Sequence, residues 1–268
     1  MSHDGSVAAT MARAASRLAR PARIDARTPI RVGIDLGTAF TVITVTDQQG
    51  RPLACASQFA DVVRDGIVWD FAGAMDVVRG LTQRIESRTG RRITAGAVTI
   101  PPGVSISDHR AHGYVLEGVG IECTAVVDEP TAANAVLGIA DGAVVDIGGG
   151  TTGVAILRDG QVVETTDEPT GGTHLTLVIS GALKIGFEEA ERRKVDPSRH
   201  RELLPVVRPV LQKISTIVRD AVAGKGVEQI HLVGGTSAFA GIADIMTDVT
   251  GIPSRVAPEP MLVTPLGV

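Results

Sequence analysis

The sequence predicts an α/β protein of two related halves, each a mixed β-sheet with helices on its faces. Three observations carry this. Of 268 residues 44% are apolar and 31 are glycine, but only 3% are aromatic, the composition of an aliphatic interior crossed by many tight turns. Short apolar runs of strand length alternate with segments of helical periodicity. An apolar strand ending in an Asp–Gly–Thr turn occurs twice, at Asp35-Leu36-Gly37-Thr38 and at Asp146-Ile147-Gly148-Gly149-Gly150-Thr151, with the aspartates 111 residues apart. One supersecondary theme thus opens each half.

The first 29 residues stand apart in composition. Five arginines against Asp4 and Asp25 make them basic, while the chain as a whole carries 26 basic and 30 acidic residues, net −4. Val7, Met11, Ala15 and Leu18 recur at helical spacing, Arg20-Pro21 ends the pattern, and residues 22–29 read as a linker. A solvated extension, a targeting segment and a partner-docking helix all fit such a stretch. From residue 30 the alternation Ile30, Val32, Ile34, Leu36 predicts a strand, followed by the Gly37-Thr38 turn, a second strand over 42–45 and a turn at 47–50. Val77, Val78, Leu81 and Ile85 give a helix over 74–88, and residues 98–100 a buried strand stopped by Pro101-Pro102. A helix from Ser105 to Glu117, a strand near 123–127 and a helix entered at Pro130 complete the first half, 30–140. The second half, 141–268, repeats the theme: strands at 143–147 and 154–157, helices over 174–194 and 202–223, a strand at 229–233, the Gly234-Gly235 turn, a helix to about Thr250 and a strand near 254–257.

Composition excludes several classes. Cys55 and Cys123 lack metal-ligand spacing and cannot form a disulfide framework, so a reducing cytoplasm is the expected compartment. No apolar run reaches membrane-spanning length. The acidic balance, scarce aromatics and lack of an evident broad basic face argue against nucleic-acid binding.

The repeated turns carry the chemistry. Glycine-rich hairpin turns let backbone N–H groups approach phosphate oxygens without a Cβ in the way. A carboxylate at the end of the preceding strand repels phosphate but can hold Mg²⁺ or its waters, which singles out Asp35 and Asp146; Thr38 and Thr151 offer hydroxyls to the same phosphates. A single turn of this kind reads first as an ordinary Asx turn closing a hairpin; two copies, one with three consecutive glycines, weaken that reading sharply. Asp128-Glu129 precedes a helix, where carboxylates also complement the helix dipole. Leu232-Val233-Gly234-Gly235-Thr236-Ser237 is a further strand-to-helix turn with room for a flat ligand.

In this order the four elements resemble the actin, hexokinase and DnaK-type chaperone ATPase superfamily: two phosphate motifs, a first connecting helix at Glu129-Pro130-Thr131-Ala132-Ala133, an adenosine motif at 232–237 and a second connecting segment at Pro265-Leu266-Gly267. Gly171-Gly172-Thr173-His174-Leu175 and Gly186-Phe187-Glu188-Glu189-Ala190-Glu191, with the length, are similar to the ethanolamine utilisation protein EutJ family. The resemblance implies an actin-like ATPase fold of two lobes with ribonuclease H-like sheets, the C-terminal segment returning toward the first lobe, and ATP or ADP with Mg²⁺ in the cleft between them. It implies Glu129, Asp35 and Asp146 as catalytic residues, the two aspartates also organising the metal. Gly37, Thr38, Ala39, Gly148, Gly149, Gly150 and Thr151 would hold phosphate, Glu191, Lys194, Gly234, Gly235 and Thr236 the adenosine, and Gly171 and Gly172 would also line the nucleotide site. By residues alone, Glu191 and Lys194 equally make an exposed i,i+3 ion pair, and His174 a helix-entry residue.

Two departures from DnaK-type chaperones follow. No lysine precedes Lys184, so the lysine that assists γ-phosphate transfer is missing, and no length remains for a peptide-binding domain after Gly267. The expectation is a weak Mg²⁺-dependent ATPase acting as a chaperone or reactivating factor, with an ethanolamine ammonia-lyase type of client or microcompartment proteins as partners through the N-terminal helix. An actin-like assembly protein of the FtsA, PilM or MreB type is the alternative, and a small-molecule kinase a third.

Overall fold

The computed structural model describes residues 3–64, 66–102 and 106–268. Ser105, the expected start of one helix, and the first two residues of the N-terminal segment lie outside them. The chain forms two compact units, one comprising the chain up to Gly138 together with Leu262–Val268, the other Ile139–Met261.

In chain order the first unit holds α1 (His3–Ala19), β1 (Ile30–Leu36), β2 (Phe40–Asp47), β3 (Pro52–Phe59), the short pair β4 (Val63–Arg64) and β5 (Ile67–Val68), α2 (Phe71–Thr89), β6 (Ala95–Ile100), α3 (Ile106–Glu117), β7 (Glu122–Asp128) and α4 (Glu129–Leu137). The second holds β8 (Gly142–Ile147), β9 (Thr152–Arg158), β10 (Gln161–Glu168), α5 (Gly172–Leu183), α6 (Phe187–Val195), α7 (His200–Val222), β11 (Ile230–Val233), α8 (Ile242–Thr250) and β12 (Ser254–Val256), and α9 (Pro260–Leu266) leads back into the first unit.

The sheets have the same order, β3-β2-β1-β6-β7 and β10-β9-β8-β11-β12, antiparallel over the first three strands and parallel over the rest. The repeat is exact in register. Leu36 pairs with Thr41 and Ile147 with Thr152, so four residues separate each pair and every turn position has its counterpart 111 residues on. Phe40, rather than Thr38, therefore stands where Thr151 does, and the second turn's terminal hydroxyl has no counterpart in the first.

Each sheet buries alternating residues against helices, as its period of two requires. In the first unit Ile34, Leu36, Ile43, Val45, Ala54 and Val98 pack with Ala74, Val78, Leu81 and Ile85 of α2, whose spacing of three and four residues keeps one face inward. Asp70 caps that helix by accepting from the Gly73 N–H at 2.9 Å, and Gly90 ends it in the left-handed region, φ 78°.

The N-terminal segment is not a separate extension. It packs against β3, with Met11 and Ala14 fully buried, so the inward face is set by Ala14 and not Ala15. The Ala22 N–H donates to Leu53 O at 2.8 Å and the Ile24 N–H to Thr89 O at 3.0 Å, which ties the linker to β3 and α2. Cys55 alternates with the core residues Ala54 and Ala56 and lies beside Arg17 of α1. Thr44 points away from that core and donates to Pro265 O at 2.6 Å. The segment expected as one helix over 174–194 is two, because Lys184 closes α5 in the left-handed region, φ 54°, and Gly186 starts α6.

Two outcomes follow from this packing. A Cβ at Gly33 would lie 2.1 Å from Pro265 O. Gly33→Ala should therefore lose about 1–3 kcal/mol of stability by overpacking, measured by urea denaturation. Burial pushes the Cys55 thiol up to about 12, against a partial opposing pull from Arg17. It should stay protonated and resist iodoacetamide at the ordinary thiol pKa, and react once residues 1–28 are deleted; rapid alkylation of the intact chain would contradict the placement of α1.

Candidate functional site

The sequence motifs fall at the C-terminal ends of β1, β7, β8 and β11, the end of a parallel α/β sheet where loops can gather ligands. In the first unit the turn closes with the Gly37 N–H donating to Phe40 O at 3.1 Å, and a Cβ at Gly37 would press to 2.8 Å from that carbonyl. Thr38 and Ala39 sit half-buried at its tip. Asp35 accepts from Thr99 Oγ1 at 2.9 Å, which fixes its carboxylate at the edge of β6. Asp128 is the N-cap of α4, accepting from the Thr131 N–H at 2.9 Å, and Pro130 fits the first helical turn. Capping thus falls to Asp128, leaving Glu129 as a half-buried second carboxylate at the helix entrance.

In the second unit the motifs converge on one carbonyl. Gly148 O accepts from the Gly172 N–H at 2.9 Å and from Thr236 Oγ1 at 2.8 Å, and Gly149 O accepts from the Thr173 N–H at 2.8 Å. The turn itself closes from the Gly148 N–H to Thr151 O at 3.1 Å. In a trans peptide the C=O and the following N–H point in opposite directions. With the Gly148 and Gly149 carbonyls committed to α5 and Thr236, the Gly149 and Gly150 N–H groups point away from those partners.

Only glycine fits the contacts that make this possible. A Cβ at Gly171 would lie 2.8 Å from Gly149 O, one at Gly172 2.2 Å from Thr236 Oγ1, and one at Gly234 2.2 Å from Asp146 Oδ1. Gly234 also has a φ of 85°. Gly235 follows it in a single 3₁₀ turn. His174 accepts from the Gly171 N–H through Nδ1 at 3.3 Å, which makes it a helix-entry residue.

Glu191 and Lys194 are not on the surface. Each is 7% exposed, and they pair at 2.7 Å on the inner face of α6. Lys194 Nζ also donates to Gly172 O at 3.1 Å and Thr176 Oγ1 at 3.0 Å, so all three ammonium protons have acceptors. Thr176 in turn meets Glu191 Oε2 at 2.5 Å, while Glu191 Oε1 makes no hydrogen bond among the described residues. Burial pushes the Lys194 ammonium below the ordinary lysine range, with the Glu191 charge and hydrogen bond opposing it.

Sequence reasoning missed Thr176, Thr99 and His200. Nδ1 of His200 accepts from the Ala240 N–H at 3.0 Å, so Nε2 carries the proton and donates to Lys194 O at 2.8 Å, and the ring stacks on Phe239. This fastens the end of α6 to the loop after the Gly234-Gly235 turn. The only legible signal was a threonine inside the apolar run of α5; a histidine opening a helix gave none. A depression of about 340 Å³ lies beside that loop, lined by residues 237–244, Val256 and Glu259.

Lys194→Met leaves a buried carboxylate without its cation and should cost about 3–5 kcal/mol in denaturant unfolding, with most of the loss recovered on adding Glu191→Met. A loss under about 1 kcal/mol would mean the pair is solvated.

Comparison with known proteins agrees with this architecture. The family model "Cell division protein FtsA" matches residues 143–267 and "MreB/Mbl protein" residues 57–196. Ethanolamine utilization protein EutJ of Escherichia coli (strain K12) is 40% identical over 245 residues, covering 91% of this chain and 86% of the relative. The crystal structure of EutJ from Carboxydothermus hydrogenoformans superposes with a TM-score of 0.94 at 43% identity, covering 100% of this chain and 98% of that one. MreB5 of Spiroplasma citri bound to ADP shares the fold, with a TM-score of 0.71 at 18% identity over 90% of this chain and 95% of its own. With its two like sheets and glycine-bound turns, the chain belongs to the ethanolamine utilization protein EutJ family, within the actin-like ATPase superfamily.

Proposed function

We propose that this chain binds ATP with Mg²⁺ and couples slow hydrolysis to a chaperone-like or reactivating role in ethanolamine utilisation, with a lyase client or microcompartment proteins as partners. The observation that carries the reading is the orientation of the Gly149 and Gly150 N–H groups, set by the commitment of the Gly148 and Gly149 carbonyls. The names of its relatives support the pathway, and an ADP-bound neighbour of the same fold supports the nucleotide.

In this reading the turn from Gly148 to Thr151, with Gly171 and Gly172 behind it, receives the β- and γ-phosphates, and Gly37, Thr38 and Ala39 supply the corresponding first-unit turn. Glu191 Oε1, a buried acceptor without a donor among the described residues, suits a ribose hydroxyl. Lys194 holds Glu191 and the start of α5 in place, since its protons are already used. Gly234, Gly235 and Thr236 shape the adenosine side. Among the described residues no three His, Cys, Asp or Glu side chains form a metal cage. That donor set fits Mg²⁺ held chiefly by phosphate oxygens and waters, with Asp146 and Asp35 accepting from those waters. Bound there, the ion would neutralise phosphate charge. Glu129 orients the attacking water or takes its proton.

Calorimetric titration with Mg-ATP should show binding that falls about tenfold or more in Asp146→Asn. Glu129→Gln should keep that affinity and lower single-turnover hydrolysis by about 10²-fold or more. Absence of binding, or hydrolysis untouched in both variants, sinks the proposal. ATP-dependent pelleting of the chain alone would favour an actin-like assembly protein instead.

A further inference from the structure

The fold concentrates charge where the composition predicted no basic face. Residues 13–27 and 84–92 contain nine arginines and no lysine, against two acidic residues, while the rest of the chain holds 17 basic and 28 acidic residues. The first stretch is the end of α1 with its linker, the second the end of α2 with the turn after it. They are brought together at one end of the first unit. Arg88 donates from Nη2 to Ala19 O at 2.5 Å, and Arg91 from Nη1 to Ala26 O at 2.5 Å. Arg23 reaches so close to Gly90 that a Cβ there would lie 3.2 Å from its Nη1.

Neither acidic residue forms an ion pair with an arginine of the cluster among the described residues, and the cluster keeps a large net positive charge. Asp25 accepts from the Arg27 N–H at 2.8 Å and Glu86 from the Ile93 N–H at 2.7 Å. Capping of helix carbonyls accounts for Arg88, but Arg13, Arg20 and Arg92 are exposed and their guanidinium groups make no hydrogen bond or ion pair among the described residues. Like charges held this close repel one another, and an anion that binds the folded state relieves the repulsion.

We infer that this arginine pole is a docking surface for an acidic polypeptide segment of a partner protein, recognised by pairing of carboxylates with guanidinium groups. Planar guanidinium forks suit carboxylates bidentately, and a short acidic segment touches the pole alone. A long polyphosphate duplex would continue over the acidic remainder of the chain and be repelled there. A lipid surface is matched less well, because every described side chain that α1 exposes is a glycine, alanine or serine apart from Arg13, with no large apolar one to insert.

The probe is a fluorescent peptide of about twelve residues rich in Glu and Asp, titrated with the full chain by anisotropy at low salt and at about 0.15 M salt. Binding should weaken with salt and fall about tenfold or more in the triple variant Arg13→Ala, Arg20→Ala, Arg92→Ala, whose thermal midpoint should be no lower than the parent's, since less like charge is held together. The control triple Arg201→Ala, Arg208→Ala, Lys213→Ala, of equal charge on α7, should stay within about twofold. The inference is overturned if the parent fails to bind the peptide at low salt, if both triples lose affinity equally, or if duplex DNA or phosphatidylserine vesicles compete more strongly than the peptide. None of these readouts depends on nucleotide.

Discussion

The second unit hangs on the carbonyl oxygen of Gly148. A backbone N–H from the start of α5 and the hydroxyl of Thr236 both reach it, so three stretches distant in sequence meet at one acceptor. Each must come closer than any side chain allows, and Gly171, Gly172 and Gly234 are the residues that permit it. These glycines do two things at once: they let the backbone pack on itself, and by fixing which way its carbonyls point they decide which way the intervening N–H groups point. The direction of those N–H groups is a by-product of how the main chain satisfies itself.

Behind that acceptor sits a polar cluster that would be costly if it were incomplete. Lys194, Glu191 and Thr176 are buried, and every proton on the ammonium is matched. Such a cluster adds little stability over an apolar equivalent but severely penalises alternatives that leave one member unpaired. It holds α6 against the first turn of α5 at a fixed distance. His200 extends the same logic outward, using both ring nitrogens to join the end of α6 to the backbone at Ala240.

Much of this was legible in sequence and some of it could not have been. The two Asp–Gly turns announced the repeat, and the shared strand order follows from the same pattern of strands and helices. The equivalence of Phe40 with Thr151 was hidden, since it depends on counting from paired strands, and motif matching aligned the threonines instead. The i,i+3 spacing of Glu191 and Lys194 could not tell a surface pair from a buried one, because burial is decided by α5, which the unbroken periodicity merged with α6. Lys184 breaks that helix through a left-handed conformation that lysine seldom adopts, so composition offered no warning. The arginine-rich start looked like a detached arm because its apolar face is made of small residues; Met11 and Ala14 suffice once β3 offers a surface.

Thr44 and Pro265, joined by a hydrogen bond, are 221 residues apart, with the second unit's whole sequence between them. Synthesis therefore delivers the two units out of order. The second can complete its sheet from a continuous stretch of chain while the first, begun earlier, waits for residues beyond Leu262 to fill the space above Gly33 and Thr44. Until those residues are in place the sheet of the first unit lacks that contact. The part of the molecule made first is the last to be finished.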